Sequence, residues 1–460
     1  MRIRQKARVA VALALLAVGT GCSSDPGEPA SGPTYERVAC PDDVEVLVVP
    51  EHECGFVRPD RDGSLQIFVV SVEPPEPSDL SPVLETGVDL GMTPSYGGLA
   101  PIAQRTGRRV VIVDLPGTGH SLPSLDCPGV DGLGDAAAES AVIAAVEECR
   151  RQVESAGIDP LMVTPERLGE ALYAVTRALD VPHWVVMGHG TTAEAGRQLA
   201  LAHPGRVEAL VLDSVVVDPA ARTRDVVASI AGSCREDRRC RRTYGDLTET
   251  WQRASQQLAR EPISVDIPGT TTTISIDAAN LDRAIRWLVA PAATGPGLLP
   301  ALLAEAAAGR PGPQLQLFAD TLSVAPPLCV GYVPKCETQQ RLVIGSTLSA
   351  MCPTMAETAA WSAACNAWGV SAAPADLKPL TGVPTLALFG THDPFASPSA
   401  IRERLAALAP DAFVVEQASG AHNVLGSECP RLVRNEWLAT AVRDPPPELA
   451  CLADPIDFQP

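Results

Sequence analysis

The stretch Val186-Met-Gly-His-Gly-Thr-Thr-Ala193 decides how this chain folds. It begins inside the apolar run His183-Trp-Val-Val-Met187, which is typical of a strand buried on both faces of a parallel sheet. It leads into residues Thr192 to His203, which predict a helix. Gly188 and Gly190 lie in the short segment between strand and helix. The sequence therefore predicts a strand, a tight turn and a helix in immediate succession.

The same alternation of strand and helix continues on both sides of this stretch. Further strands are predicted at Gln66 to Val72, Arg108 to Asp114, Glu208 to Asp213, Pro384 to Phe389 and Ala412 to Glu416. Further helices are predicted at Thr164 to Leu179, Ser399 to Leu408 and Cys429 to Val442. Such alternation favours an α/β fold with a mostly parallel sheet and helices on both faces.

A long insertion interrupts this pattern. From about residue 220 to 375 the chain is predicted to be mostly helical, with Pro-rich and Cys-containing joints, before the strand signal returns at Pro384. An insertion between late strands of such a sheet suggests a helical cap over a site. We therefore divide the chain into a leader (1–22), a flexible tether (23–38), a core in two parts (39–217 and 379–460) and a cap (218–378).

The amino terminus has the features of an export signal. Basic residues precede the apolar run Val9 to Val18, which is too short to span a bilayer as a stable helix. Small residues then lead to Cys22, and a polar, Pro-rich stretch follows. This arrangement resembles a bacterial lipoprotein signal, although Gly19 stands where Leu is usual. We expect an envelope protein anchored to the membrane by a lipid on Cys22; the alternative is an ordinary cleaved signal with Cys22 unused.

Charge and cysteine content restrict the function classes. The net charge is −19 and the basic residues form no stripe, which argues against nucleic acid as a partner. Of thirteen cysteines, Cys22 is assigned to the leader, and the even number left suggests disulfides in an exported chain. Plausible pairs are Cys40–Cys54, Cys127–Cys149, Cys234–Cys240 and Cys429–Cys451. No Cys-x-x-Cys occurs and the histidines are not spaced as ligand pairs, so we predict no metal site and no cofactor.

Candidate functional residues follow three of the predicted strands. Open α/β sheets bind ligands beyond the carboxyl ends of their strands. The first is the turn around Gly190. The second is Gly390-Thr-His-Asp-Pro394, which places Asp393 just after a strand, and the third is Gly420-Ala-His-Asn423, which places His422 after the last strand. Each residue alone could be an ordinary loop residue. Together, at matching strand ends, Asp393 and His422 are predicted to form an acid–base pair.

The turn itself resembles the nucleophile elbow of α/β-hydrolases, a strand followed by Gly-x-Ser-x-Gly and a helix. Gly188 and His189 match that pattern. Gly190 stands where the nucleophilic serine belongs, and Thr192 stands where the second glycine belongs. Glycine tolerates the strained backbone of the elbow, so the turn can form without a side-chain nucleophile. The order elbow, Asp393, His422 is that of the α/β-hydrolase triad.

From about Cys40 to Cys451 the chain resembles the tripeptidyl-aminopeptidase-like branch of exported actinobacterial α/β-hydrolases, related to proline iminopeptidases. Besides the elbow, the matching residues are Val113-Asp114, Gly117-Thr-Gly119, Ser121, Leu125-Asp-Cys-Pro128, Cys149-Arg150, Leu212-Asp213, Cys365 with Trp368, and the Cys429 to Cys451 tail. The resemblance implies a serine hydrolase that cleaves short peptides from the amino end, or small esters and amides.

A second departure from this family lies in the turn that supplies an oxyanion-hole N–H. The family's glycine-rich turn is replaced by Thr86-Gly-Val-Asp-Leu-Gly91, which keeps Gly87 but introduces Asp89. A carboxylate there would oppose stabilisation of a developing oxyanion. In the family the other donor is the backbone N–H at the position of Thr191. The side chain of Thr191 points away from the base there, so the resemblance does not favour it as a substitute nucleophile.

Three functions remain open. The first is a silent or impaired hydrolase relative that binds a peptide or small ester-like ligand beneath its cap. The second is an active hydrolase or lyase that uses the His422–Asp393 pair, with water or another residue as the nucleophile. The third is an inactivated variant of a working serine peptidase, which the altered turn after Thr86 disfavours because it is a second, separate change.

Overall fold

The computed structural model of the protein describes residues 32–44, 46, 52–60, 63–87, 96–125, 139–190, 192–215, 223–266, 273–290, 294–323, 359–370 and 378–459. The predicted leader and most of the predicted tether lie outside these residues, and so does Cys22. Among the described residues, no helix combines the length and apolar character needed to cross a membrane.

A nine-stranded sheet forms the centre of the described structure, in the order β1-β2-β3-β5-β4-β6-β7-β10-β11. Its strands are β1 (Thr34–Val38), β2 (Glu53–Arg58), β3 (Ile67–Val72), β4 (Val83–Glu85), β5 (Val110–Val113), β6 (Trp184–His189), β7 (Val207–Asp213), β10 (Thr385–Gly390) and β11 (Phe413–Gln417). The pairs from β1 to β3, and β3 with β5, are antiparallel, and the six strands from β5 to β11 are parallel. The predicted α/β class is therefore confirmed.

The strands β3, β5, β6, β7, β10 and β11 form where the apolar runs predicted them. Every residue of β3, β5, β6 and β10 is buried, as continuous Val, Ile and Leu runs require when helices cover both faces of a sheet. The helices outside the insertion are α1 (Leu99–Thr106), α2 (Glu139–Ser155), α3 (Pro165–Ala178), α4 (Thr192–Ala202), α12 (Pro398–Leu408) and α13 (Glu428–Leu438). The last helix ends before the predicted Val442.

Between β7 and β10 the described chain is mostly helical. These helices are α5 (Thr223–Glu236), α6 (Arg238–Tyr244), α7 (Leu247–Arg260), α8 (Ala278–Val289), α9 (Gly295–Ala307), α10 (Pro313–Ser323) and α11 (Ala359–Trp368). The sequence prediction missed a two-stranded hairpin, β8 (Ile263–Asp266) with β9 (Thr273–Ile276). In β8 the side chains alternate between buried and exposed, which is the period-two pattern of a half-buried strand.

Two apolar cores flank the sheet, and a third fills the insertion. The insertion's core also includes Ala421, in the loop after β11, and Ile456 and Phe458 near the carboxyl terminus. The insertion's core therefore extends to the loop that carries the predicted base His422.

Disulfides cross-link several parts of the described chain. The predicted pairs Cys40–Cys54, Cys234–Cys240 and Cys429–Cys451 are all present. Cys149 and Cys365 are disulfide-bonded as well. Cys127, the predicted partner of Cys149, lies outside the described residues.

Candidate active site

The turn after β6 has the backbone geometry of an elbow. Gly190 takes φ of 51°, and α4 begins two residues later. A Cβ on Gly188 would lie 2.6 Å from the Cα of Ala193, so only glycine allows strand and helix to approach this closely. The N–H of Gly190 donates to the carbonyl oxygen of Asp213 at 2.7 Å. Gly190 thus has the positive φ expected at the nucleophile position of an elbow, but it carries only a hydrogen atom there.

The predicted acid and base are in direct contact. Nδ1 of His422 lies 2.9 Å from Oδ2 of Asp393, and both residues are buried. The other carboxylate oxygen of Asp393 accepts the backbone N–H of Phe395 at 2.8 Å. The ring of Phe395 packs edge-on against the imidazole of His422, with 4.8 Å between centroids. The carboxylate and the phenyl ring together fix the orientation of the imidazole.

A buried carboxylate, Asp213 at the end of β7, joins the elbow to the loop that carries His422. Its Oδ1 accepts the N–H of Val424 and its Oδ2 accepts the N–H of Leu425, both at 3.1 Å. Its Oδ2 also lies 2.9 Å from Nδ1 of His189. Asn423, with φ of 56°, makes the tight turn that brings these N–H groups to one carboxylate. One side chain therefore holds both parts of the candidate site.

The imidazole of His189 lies between two carboxylates. Besides its contact with Asp213, its Nε2 is 3.4 Å from Oε1 of Glu85. Burial alone would lower the pKa of His189, but hydrogen bonds and charge interactions with Asp213 and Glu85 outweigh it and raise the pKa to about 9. His189 is thus an imidazolium at neutral pH. Arg434 is buried beside the same carboxylates; burial lowers its pKa to about 10.

This cluster of Glu85, His189 and Asp213 was not predicted from the sequence. The positions of these residues at the ends of neighbouring strands could have predicted it. In the parallel register Glu85 lies opposite Met187, and His189 lies opposite Asp213. The rule that brought Asp393 and His422 together would have placed these side chains at the same edge of the sheet.

Thr192, which stands where the elbow pattern has its second glycine, makes hydrogen bonds that hold the elbow. It is buried, and its hydroxyl lies 3.0 Å from the carbonyl oxygen of Gly87 and 2.9 Å from that of His189. The same hydroxyl accepts the N–H of His189 at 3.0 Å. Thr86 pairs with the carbonyl of Met187 through its backbone N–H. These contacts tie the turn that begins at Gly87, where φ is 78°, to the elbow.

The remaining predicted residues of this site are only partly described. Thr191 and Asp89 lie outside the described residues. Two serines near strand ends have partners other than His422. The hydroxyl of Ser214 contacts Oδ1 of Asp213 at 3.0 Å and accepts the N–H of Asn423. The hydroxyl of Ser419 accepts a hydrogen bond from the side chain of Gln417.

One group of metal-ligand atoms occurs in the described part of the chain. The side chains of Cys40, His52 and Cys54 place their ligand atoms within 4.8 Å of one another. Because Cys40 and Cys54 are bonded to each other, they lack the thiolates that a metal ion would need.

Comparison with known proteins agrees with this geometry. Residues 90–258 match the family model described as "alpha/beta hydrolase fold". The order of the sheet and the positions of the elbow, the acid and the histidine after β6, β10 and β11 fit that description. The protein has an α/β-hydrolase fold. No curated protein sequence matches the chain.

Several solved α/β-hydrolases align with most of the chain at low identity. Juvenile hormone epoxide hydrolase from the silkworm Bombyx mori is 13% identical, over 85% of this chain and 78% of its own, with a TM-score of 0.40. Proline iminopeptidase from Mycobacterium smegmatis is 14% identical, over 83% and 96%, with a TM-score of 0.34. Carboxylesterase CesB from Bacillus subtilis is 13% identical, over 85% and 91%, with a TM-score of 0.35.

Proposed function

We propose that this protein is an exported α/β-hydrolase relative that binds a short peptide or small ester-like ligand beneath its helical insertion. It does so without forming a covalent intermediate at the elbow. One observation carries the proposal: Gly190 occupies the nucleophile position with φ of 51°. The elbow backbone is retained there, while the atom that would attack a carbonyl carbon is missing.

The proposal of binding without serine catalysis follows from what each part of a triad contributes. The base and the acid activate a nucleophile; without one they have no hydroxyl to deprotonate. Loss of a triad member leaves only about 10³–10⁴-fold catalysis over water, from binding and the oxyanion hole. The substitution in the turn after Thr86 would reduce that remainder further, because Asp89 adds a negative charge to the segment that supplies an oxyanion donor in the family.

The same residues could still bind a ligand. His422 and Asp393 are buried and held in one orientation, and Phe395 offers an apolar surface beside them. A carbonyl group or a terminal amine of a peptide could hydrogen-bond to this pair without being cleaved. Open α/β sheets generally bind small ligands of this size beyond the carboxyl ends of their strands.

A second candidate function is hydrolysis by water that the pair activates directly. The 2.9 Å contact between Nδ1 of His422 and Asp393 favours it, because a carboxylate on Nδ1 directs proton transfer to Nε2 and stabilises the imidazolium that forms. Because Gly190 has no side chain, a water molecule could take the place of a serine hydroxyl.

The envelope location is part of the proposal. The leader and the lipid on Cys22 would hold the protein on the outer face of a membrane. Disulfides such as Cys40–Cys54 and Cys429–Cys451 are compatible with an oxidising compartment.

A turnover assay tests the proposed function. The mature chain, from residue 23 onward, is incubated with p-nitrophenyl esters and short peptide p-nitroanilides, alongside the variant His422→Ala. We expect release no faster than with the variant. Release that His422→Ala abolishes would overturn the non-catalytic proposal. A serine-directed fluorophosphonate then separates the remaining cases: labelled protein means another nucleophile, and turnover without labelling favours activated water.

A further inference from the structure

A hydrogen bond joins the helical insertion to the loop that carries the candidate acid. The hydroxyl of Ser229, on α5, lies 2.8 Å from Nδ1 of His392. His392 immediately precedes Asp393 in the turn after β10, and only 3% of it is exposed. Neither the elbow nor the His422–Asp393 pair uses this contact.

His392 is also bound to the loop that carries the candidate base. Its backbone N–H donates to the carbonyl oxygen of Gly420 at 2.9 Å. Its side chain makes a hydrogen bond to the backbone of Ala418. One residue therefore contacts the acid turn, the histidine loop and the insertion at the same time.

The tautomer of His392 decides the direction of the bond to Ser229. Burial lowers the pKa of His392 to about 4, although the backbone of Ala418 and the charge of Glu416 oppose that shift. The imidazole is therefore neutral above that pH and carries a single N–H. With that N–H given to the Ala418 carbonyl, Nδ1 is an acceptor and the Ser229 hydroxyl donates to it.

Apolar contact supports the same junction. Val226, Val227 and Ile230 of α5 belong to the large buried cluster that fills the insertion and extends to Ala421, the neighbour of His422. Ser229 lies among these residues on one helix, and its hydroxyl makes a polar contact between that helix and the turn after β10. A buried polar contact of this kind fixes one arrangement of two apolar surfaces, because sliding either surface leaves the imidazole without its donor.

We infer that the Ser229–His392 hydrogen bond is a latch that keeps α5 closed over the His422–Asp393 pair and so controls access to it. Ser229 and His392 are then positioning residues: they act on the ligand site through the loops that carry Asp393 and His422. The inference rests on the proposed function, in which the ligand lies beneath the insertion.

The test compares Ser229→Ala with Ser229→Thr, which keeps the hydroxyl, and with Ser233→Ala, which removes a hydroxyl one turn along the same helix. Hydrogen exchange of α5 and of β6 is followed in the mature protein by mass spectrometry. The reaction of His422 with diethyl pyrocarbonate is followed on its peptide. We expect Ser229→Ala to speed both α5 exchange and His422 modification about fivefold, with β6 unchanged.

Ser229→Thr is expected to retain the slow rates, and Ser233→Ala to behave as the wild type. Unchanged α5 exchange and His422 reactivity in Ser229→Ala would overturn the latch. So would an equal effect of Ser233→Ala, or equal acceleration in β6, which would indicate general destabilisation. Fluorophosphonate labelling of Ser229 would make it a nucleophile and would also overturn the latch. Turnover by the wild type without labelling of Ser229 would contradict the proposed function. The rates of α5 exchange and of His422 modification would still test the latch.

Discussion

The carboxylate of Asp213 lies 2.9 Å from Nδ1 of His189, the residue immediately before Gly190. The same carboxylate accepts two backbone N–H groups from the loop after His422. Its buried negative charge is compensated by the His189 imidazolium. The geometry of the elbow and that of the candidate base are therefore linked through one ion pair.

Replacing Asp213 by Asn should destabilise the fold strongly. The change leaves the His189 imidazolium buried with only Glu85 as a charged partner, and breaking a buried pair from one side costs about 3–5 kcal/mol. Urea unfolding measures the loss. The control is Asp159→Asn, which removes the exposed pair with Arg167 and should change stability by no more than about 1 kcal/mol. Equal effects of the two substitutions would contradict the role given to Asp213.

The same ion pair predicts a loss of stability at alkaline pH. The pKa of His189 is raised to about 9 in the folded protein, above the ordinary value of 6.5. Its contribution to stability is therefore complete below about pH 6.5 and is lost as pH rises through 9. We expect the difference in unfolding free energy between wild type and His189→Gln to shrink by about 3 kcal/mol between pH 6 and 10.5. A difference that stays constant with pH would show that His189 is not charged in the fold.

Gly188→Ala tests the close approach of strand and helix at the elbow. The added Cβ would meet backbone atoms of Ala193 at 2.6 and 2.8 Å, so the helix must shift. We expect a loss of about 1–3 kcal/mol in thermal or urea unfolding. Gly232→Ala is the control, because its Cβ would have only a side-chain contact at 3.8 Å within α5. That variant should gain about 0.5–1 kcal/mol from reduced backbone entropy.

Cys22→Ser tests the predicted lipid anchor. The full chain is expressed in an actinobacterial or other bacterial host and fractionated. Because the variant lacks the thiol that would carry the lipid, it should move from the membrane pellet to the soluble or secreted fraction. An unchanged distribution would favour an ordinary cleaved signal, or retention by other contacts.

Much of the sheet and of the candidate site was predictable from the sequence, because continuous apolar runs such as those before Gly188 and Asp393 have few alternatives to a buried strand. The three-residue strand β4 and the antiparallel β1 and β2 were not predicted. Short or half-exposed strands leave only a weak periodic signal, and their pairing depends on partners distant in the chain. The hairpin in the insertion was missed for the same reason.

The Ser229–His392 contact could not have been predicted. The two residues are 163 positions apart, and Ser229 lies in a helix whose packing against the sheet follows from tertiary structure. The link between His189 and Asp213 differs, because both residues end neighbouring parallel strands. The contact between His189 and Asp213 would have been predicted if the residues at the end of every strand had been considered, and not only Gly190, Asp393 and His422.

The most direct test of the central claim compares the natural protein with Gly190→Ser, using a fluorescent fluorophosphonate and peptide p-nitroanilides. Serine at φ of 51° is strained, but elbows of this fold hold their nucleophile in that way. If Gly190 alone separates this site from catalysis, the probe labels the variant at the substituted position, and the variant turns over at least about 10³-fold faster than the wild type. His422→Ala in the same background abolishes both signals. Labelling or His422-dependent turnover of the natural protein would contradict the account.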